Sequence, residues 1–152
     1  MDAITLLKTD HKNVKDLFKQ VEGLSERAAV ARRRLCEQIA QELEAHAQAE
    51  EQIFYPALRE RTKRNSEQYD LIFESVEEHA IVKQLIAQLR ELDPKDDRYK
   101  AKMTVMQELV EEHVKEEERE MFPAAKQMFE SDELKQLGNR MAAMKEGAAA
   151  AV

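Results

Sequence analysis

A twelve-residue pattern that occurs twice is the feature that most constrains this chain. The first copy starts at His46 and reads HAQAEEQIFYPA, and the second starts at His113, 67 residues later, and reads HVKEEEREMFPA. Both copies share the His, two adjacent Glu, the Pro, the Ala and an aromatic residue before the Pro. Because four residues of an α-helix turn through about 400°, the His and the first Glu of each copy lie on one helical face.

A further histidine precedes each copy. His11 lies 35 residues before His46, and His79 lies 34 residues before His113. Both occupy a step in a stripe of apolar residues spaced by threes and fours, which is the spacing of a buried helical face. The chain therefore contains two predicted half-sites with one composition, which are His11, His46 and Glu50 in the first and His79, His113 and Glu117 in the second.

The composition limits the class of protein. Charged residues make up 36% and hydrophobic residues 43% of the 152 residues, which is typical of a soluble helical protein of one domain. Three Gly and three Pro are too few for a sandwich or barrel with many tight turns. The net charge of −7 argues against nucleic acid or an anionic membrane as a partner.

Other features favour a cytoplasmic location. The N-terminus does not resemble a signal peptide, and no apolar run reaches the roughly 18 residues of a membrane span. The single cysteine, Cys36, cannot form an internal disulfide, which suits a reducing compartment. We interpret Cys36 as a buried thiol and not as a ligand, because it lies ten residues from His46.

The apolar periodicity predicts an all-α protein, an antiparallel up-down-up-down four-helix bundle with a short C-terminal fifth helix. The predicted helices run from about 2 to 21, from 26 to 61, from the Ser66 cap to a break at 92–97, and from 97 to 129. The bundle is assigned to residues 1–130, and residues 131–152 to the short helix, capped by Ser131, and a frayed tail.

Two details do not fit ideal helical hairpins. Pro56 and Pro123 fall inside the second and fourth helices, where each removes a backbone hydrogen bond and should bend the helix. His11 and His46 also lie at different distances from Gly23, a mismatch of roughly 16 Å if both share one level. Either residues 24–31 are partly non-helical or the second helix extends beyond the first.

The inward histidines and glutamates predict a metal site. Two carboxylates buried without partners would cost several kcal/mol each, as an order of magnitude, and a cation between them and the imidazoles removes that cost. The alternative is that these are core histidines satisfied by neighbouring carboxylates. Imidazole and carboxylate without thiolate favour iron, manganese or zinc. Six ligands are too many for one tetrahedral zinc ion, which takes four, and they suit two ions that share two carboxylates.

The motif His11, His46-x-x-x-Glu50, His79, His113-x-x-x-Glu117, with its Glu-Glu-x-x-x-aromatic-Pro continuation, resembles the hemerythrin-like (HHE cation-binding) domain. The resemblance extends from the first helix to about Met128. It implies a non-haem di-iron centre, bridged by an oxo or hydroxo group, inside a four-helix bundle. By the same resemblance Glu50 and Glu117 bridge the irons and the four histidines cap them, with manganese or zinc less favoured.

The chain departs from the oxygen-carrying members of that family at two positions. Lys83 stands where those proteins have a second histidine, and their last carboxylate comes five residues after its histidine, at the position of Glu118. We prefer Glu117 as the second bridging carboxylate, because the fourth residue lies about 40° round the helix from His113 and the fifth about 140°.

Three functional hypotheses follow. The first is a di-iron protein that binds O2, peroxide or NO for sensing, storage or detoxification. The second is a di-iron enzyme with catalase- or peroxidase-like or NO-reducing activity, and the third is a metal-free helical interaction scaffold. Nearby side chains are expected to be secondary. Tyr55 is expected to pack in the core, and the alternative is that it donates a hydrogen bond to a metal ligand. Four glutamates are assigned to a solvated flank, namely Glu51, Glu112, Glu116 and Glu120, of which Glu120 is the exception to watch because it lies seven residues from His113, on the same side of the helix.

Overall fold

The computed structural model describes the backbone of residues 1–150 and the side chains of residues 1–148. The described regular structure is helical throughout, as predicted. The α-helices are α1 (Ala3–Glu22), α2 (Ala29–Ala49), α3 (Tyr55–Arg61), α4 (Glu67–Glu91), α5 (Asp97–Glu116), α6 (Phe122–Met128) and α7 (Ser131–Ala150). Four rods, formed by α1, by α2 with α3, by α4, and by α5 with α6, make the predicted antiparallel bundle.

Side-chain caps fix where three of the rods begin. Asp2 accepts a hydrogen bond from the amide of Thr5 at 2.8 Å, and Ser66 accepts one from the amide of Tyr69 at 3.2 Å. Asp96 caps α5 in the same way. These bonds satisfy amides that have no partner inside the helix, and so they fix where each helix begins. The predicted boundaries at 66 and 97 are confirmed.

The connection between α1 and α2 explains the mismatch of the first two histidines. Residues 23–28 are not helical, so α2 begins at Ala29, three residues later than predicted. His46 then lies 17 residues into α2 while His11 lies 11 residues before the end of α1. Both predicted alternatives therefore apply, because α2 still extends beyond α1 by six residues, about 9 Å.

Two apolar cores stack along the bundle, with the histidines between them. The proximal core, on the side of α7, is formed mainly by Leu7, Phe54, Leu58, Ile72, Phe122 and Met141. The distal core is formed mainly by Phe18, Ile39, Ile86, Leu89, Tyr99 and Met106. In every rod the histidine falls between residues of one core and residues of the other, so apolar packing surrounds the polar layer at both ends.

The C-terminal helix differs from the expectation of a short element. α7 has 20 residues and packs against α1, α2 and the chain that follows α2, with Leu134, Leu137 and Met141 buried in the proximal core. The described helix continues to Ala150, and the predicted frayed tail stays a prediction, since residues 151–152 lie outside the described residues. Within the described chain, every helix is too short or too polar to cross a membrane.

Gly138 on α7 allows the N-terminus to approach closely. A Cβ atom at this position would lie 2.7 Å from the amide nitrogen of Ala3 and closer still to the carbonyl oxygen of Met1. Real Cβ atoms do not approach backbone so closely, so a side chain here would push α7 away from the start of α1.

We therefore predict that Gly138→Ala lowers the free energy of unfolding by roughly 1–3 kcal/mol, measured by urea denaturation of the full chain. Gly147→Ala is the matched control, since a Cβ there meets nothing within 4 Å. Alanine is the better helix former, so the control should gain up to about 1 kcal/mol. Equal effects of the two substitutions would contradict the close-approach explanation.

Candidate metal centre

Each of the two helix-internal prolines follows a short π-helical segment. The first, called here the first π segment, is Glu50–Phe54, and the second π segment is Glu117–Met121. The amide of Tyr55 bonds back to the carbonyl of Glu50, five residues earlier, and the amide of Phe122 does the same to Glu117. A proline has no N–H and its ring collides with the carbonyl four residues back, so a wider turn accommodates it. The predicted disturbance is therefore a π segment that begins at the first Glu of each copy.

Glu50 lies at the centre of three histidines. Its side chain is fully buried, and its Oε1 lies 3.1 Å from Nε2 of His46 and 3.1 Å from Nε2 of His79. Nε2 of His113 is 3.9 Å from the same oxygen. One carboxylate thus faces imidazoles from three different rods.

Glu117 occupies the equivalent place in the second copy. It is 1% exposed, with Oε1 3.0 Å from Nε2 of His11 and 3.8 Å from Nε2 of His46. Its other oxygen, Oε2, lies 3.3 Å from Nε2 of His113. Glu118 points elsewhere and lies against Nδ1 of His11 at 2.6 Å. The structure therefore places Glu117, the preferred residue, among the imidazoles.

The six predicted side chains meet, and each carboxylate reaches histidines of both half-sites. Potential ligand atoms within 4.8 Å of one another form a first cluster, His11, His46 and Glu117, and a second cluster, Glu50, His79 and His113. Each carboxylate also contacts the histidine of its own copy, Glu50 with His46 at 3.1 Å and Glu117 with His113 at 3.3 Å, so the two half-sites share their carboxylates. Each Glu lies one turn after its own histidine but crosses the bundle axis, where it meets histidines of the other copy.

Each imidazole also contacts a second carboxylate through its outer nitrogen. The Nδ1 contacts are His11 with Glu118 at 2.6 Å, His46 with Asp10 at 2.9 Å, His79 with Glu51 at 2.8 Å and His113 with Glu78 at 2.8 Å. An Nδ1–H that donates to a carboxylate leaves Nε2 with a free lone pair, directed inward, and raises its strength as a metal ligand.

Sequence reasoning missed these four outer carboxylates. The assignment of Glu51 to the solvated flank is wrong, because its Oε2 accepts from His79. Glu112 and Glu120 are exposed, as predicted. A signal was present, since each outer carboxylate is the immediate sequence neighbour of a predicted ligand, in the pairs Asp10–His11, Glu50–Glu51, Glu78–His79 and Glu117–Glu118.

Tyr55 fills both of the roles considered for it, because it packs in the proximal core and also donates a hydrogen bond at the site. It is completely buried, but its hydroxyl lies 2.7 Å from Oε2 of Glu117 and 3.0 Å from Oε1 of Glu50. Burial and the two neighbouring carboxylates raise the pKa of Tyr55 well above its ordinary value, so it remains a donor. The residue at the equivalent place, Phe122, stacks on the ring of His11 and has no such hydroxyl.

The polar atoms at the centre fit a cation better than they fit one another. Among the described residues, four buried atoms have no hydrogen-bond partner, namely Nε2 of His46, His79 and His113 and Oε2 of Glu50. The three nitrogens lie within 4 Å of carboxylate oxygens but are not aligned with them as hydrogen bonds. Buried polar atoms are rarely left unsatisfied, and nitrogen and oxygen lone pairs converging on one space are the donors that a metal ion requires.

Without a metal, the site holds protons instead. Burial lowers the pKa of His46, but the charge of Glu50 and the bond to Asp10 outweigh it, so the pKa is raised well above 6.5. The pKa of His113 is raised well above 6.5 in the same way by Glu117. Burial and the charge of Glu117 raise the pKa of Glu50, but His46 and His113 outweigh both effects and lower this pKa to about 2. Protons on the imidazoles therefore balance the two carboxylates.

A small cavity adjoins the histidines on the side of the distal core. Its volume is about 50 Å³, and it is lined by the four histidines and by apolar side chains that include Val14, Leu43, Val82, Ile86, Val110 and Val114. A cavity needs about 10–15 Å³ of such volume to hold one water molecule, so this one has room for a small ligand. Lys83 and Glu44 lie at its edge, where the bundle meets solvent.

Comparison with known proteins agrees with this geometry. In the solved structures, the crystal structure of a hemerythrin HHE cation binding domain-containing protein from Mycobacterium kansasii superposes with a TM-score of 0.83 at 27% identity. That match covers 99% of this chain and 89% of the other.

Two curated relatives are similar over nearly the whole chain. An uncharacterised protein of Mycobacterium tuberculosis is 31% identical over 144 residues, which are 94% of this chain and 84% of that protein. A protein of Nostoc sp. named DNA nickase is 26% identical over 145 residues. This match covers 95% of the present chain, which spans only 39% of the length of the Nostoc protein.

The family described as the hemerythrin HHE cation binding domain matches residues 2–125, a range that contains all six inward side chains and all four outer carboxylates. The match agrees with the His and Glu clusters in indicating that the chain binds metal cations. The chain belongs to the hemerythrin HHE cation binding domain family.

Proposed function

We propose that this chain is a non-haem di-iron protein that binds or reacts with O2, peroxide or NO, for sensing, storage or detoxification. The observation that carries the proposal is the set of inward Nε2 and carboxylate atoms, buried and without hydrogen-bond partners among the described residues. A metal-free scaffold would leave these atoms unsatisfied at a cost of about 1–3 kcal/mol each, which argues against that alternative.

The arrangement of the carboxylates supports two ions. Glu50 lies 3.1 Å from a histidine of each cluster, His46 and His79, and Glu117 lies within 3.3 Å of His11 and His113. Glu117 can therefore offer one oxygen to each of two positions, whereas Glu50 meets both of its histidines through Oε1 and keeps Oε2 without a partner. Imidazole and carboxylate ligands without thiolate suit iron, and also manganese or zinc, which metal analysis separates.

When bound, iron would supply the one-electron chemistry that O2, peroxide and NO require. The chain's own residues supply the setting. The apolar lining of the 50 Å³ cavity admits a small uncharged molecule and disfavours an ion, because an unpaired charge there would lose its hydration. The single O–H of Tyr55 donates to Glu117, at 2.7 Å, or to Glu50, at 3.0 Å, and so helps to hold the orientation of both carboxylates beside the cavity.

The same site would suit a di-iron enzyme with catalase- or peroxidase-like or NO-reducing activity. The buried hydroxyl of Tyr55, which lies beside both carboxylates, favours this second candidate, because a hydrogen-bond donor can stabilise negative charge that increases at the site during a reaction. Repeated turnover of added peroxide or NO would establish an enzyme, and a single stoichiometric reaction would establish a binding protein. We also propose a cytoplasmic location, which suits the free thiol of Cys36.

The first prediction concerns metal content. Protein purified without oxygen and loaded with Fe²⁺ should contain two irons per chain by elemental analysis, and His46→Ala should lose at least one of them. Leu89→Ala is the control, because Leu89 is 1% exposed in the distal core and does not line the cavity. It should cost roughly 2–5 kcal/mol of stability and keep both irons. Fully folded wild-type protein that takes up no metal would contradict the proposal.

The second prediction concerns pH. In metal-free protein the raised pKa values of His46 and His113 contribute stability below 6.5 that is lost as the pH rises through them. The lowered pKa of Glu50 contributes stability above 4.5 that is lost as the pH falls toward 2. Metal-free protein should therefore be most stable between pH 4.5 and 6.5, measured by urea denaturation across pH.

Above pH 6.5, metal affinity should change with pH in the opposite direction from the stability of the metal-free protein. The protons on His46 and His113 must leave before metal binds, so affinity should rise with pH and calorimetry should detect proton release. A metal affinity independent of pH between 6 and 8 would contradict the assignment of these histidines as ligands.

The third prediction concerns Tyr55. Tyr55→Phe keeps the ring in the core but removes the donor to both carboxylates, and it should lower metal affinity by about tenfold and shift the optical spectrum of the loaded centre. Tyr99→Phe is the matched control, since Tyr99 is 1% exposed and lies in the distal core, near Cys36. The control should alter stability only, and identical spectral changes in both variants would exclude a specific role for Tyr55.

A further inference from the structure

Asp10 differs from the other three outer carboxylates. Its side chain is 6% exposed, whereas those of Glu51, Glu78 and Glu118 are 25%, 35% and 38% exposed. Water can hydrate the three glutamates from outside the bundle, but it reaches Asp10 very little. Asp10 therefore depends on protein donors to satisfy both of its oxygens.

Those donors come from two different helices. Oδ2 of Asp10 accepts from Nδ1 of His46 at 2.9 Å, and Oδ1 accepts from the ammonium group of Lys145 on α7. Lys145 is itself only 21% exposed at its side chain. An unbroken chain of contacts thus runs from α7, outside the four rods, through Asp10 to His46 and then to Glu50, whose Oε1 lies 3.1 Å from Nε2 of His46.

A second pair of lysine and outer carboxylate lies on the opposite side of the site, but it is more exposed. Glu51, which accepts from His79, has Lys83 at 3.6 Å, but the side chain of Lys83 is 53% exposed. This pair lies within the four rods and is open to solvent. Exposed pairs of this kind contribute little, because water screens them and replaces them readily.

We propose that Lys145 is a positioning residue for the metal centre, which holds Asp10 in the orientation that receives the His46 N–H and so makes the two metal positions inequivalent. The inference rests on the proposed function, since it requires two bound ions. Through Lys145, a fifth helix, α7, helps to orient a ligand of the first cluster, whereas the second cluster has no such contact from α7 among the described residues.

A role for Lys145 in merely attaching α7 explains the geometry less well. α7 is already anchored by Leu134, Leu137 and Met141, which are buried in the proximal core, and by the close approach at Gly138. Lys145 lies one turn beyond Met141, and the group that it reaches is the one buried carboxylate among the four that contact Nδ1. Without Lys145, Asp10 loses the donor that fixes one oxygen and is free to rotate away from His46.

The test is stepwise binding of two Co²⁺ ions to the full chain, followed by calorimetry with a competing chelator. Lys145→Met keeps the length of the side chain and removes its charge, and it should weaken one of the two binding steps by about tenfold. The other step should stay within about threefold. Lys145→Arg should restore most of the loss, and Lys83→Met, the matched control, should leave both steps within about threefold.

Combination with Asp10→Asn shows whether Lys145 acts through Asp10. In that background Lys145→Met should have little further effect, because partners in one network are not additive. A full tenfold loss in the Asp10→Asn background would overturn the inference, as would equal weakening of both steps. A lowered unfolding temperature with both binding steps unchanged would show that Lys145 only attaches α7.

The outcomes also separate this inference from the proposed function. Wild-type protein that binds fewer than two ions would overturn the proposed function and this inference together. Two intact binding steps that do not respond to Lys145→Met would overturn this inference alone.

Discussion

The structure depends on the burial of two like charges next to each other. Glu50 and Glu117 are 0% and 1% exposed, and Glu117 raises the pKa of Glu50. Carboxylates at this depth are unfavourable unless positive charge surrounds them. Protonated imidazoles or the proposed cations supply that positive charge, and the Tyr55 hydroxyl donates a hydrogen bond. The two apolar cores above and below keep water away from the carboxylates.

The outer carboxylates join the four rods in a closed ring. Asp10 on α1 contacts His46 on α2, and Glu51 at the end of that rod contacts His79 on α4. Glu78 on α4 then contacts His113 on α5, and Glu118 at the end of that rod contacts His11 on α1. Each rod thus orients the imidazole of the next, so that no rod can slide by a turn without breaking two of these contacts.

Sequence periodicity was sufficient for the bundle and the six inward side chains, because both depend on which face of one helix is apolar. It could not show which histidines of the other copy Glu50 and Glu117 reach, since that depends on which rods are neighbours across the axis. The acceptor of the Tyr55 hydroxyl was hidden for a similar reason, because Glu117 is 62 residues away. The full length of α7 was missed because its stripe is weakly apolar and contains glycines at 138 and 147.

The two π segments make the length of the repeated pattern as important as its composition. A π segment contains one residue more than an α-helix would use over the same rise, so the chain after it is turned by about 100° relative to the chain before. Leu58 and Ala125 face the proximal core only because of that added residue. Loss of a single residue between Glu50 and Pro56 would rotate the following face toward solvent, so the spacing of this stretch is as tightly constrained as the side chains that it carries.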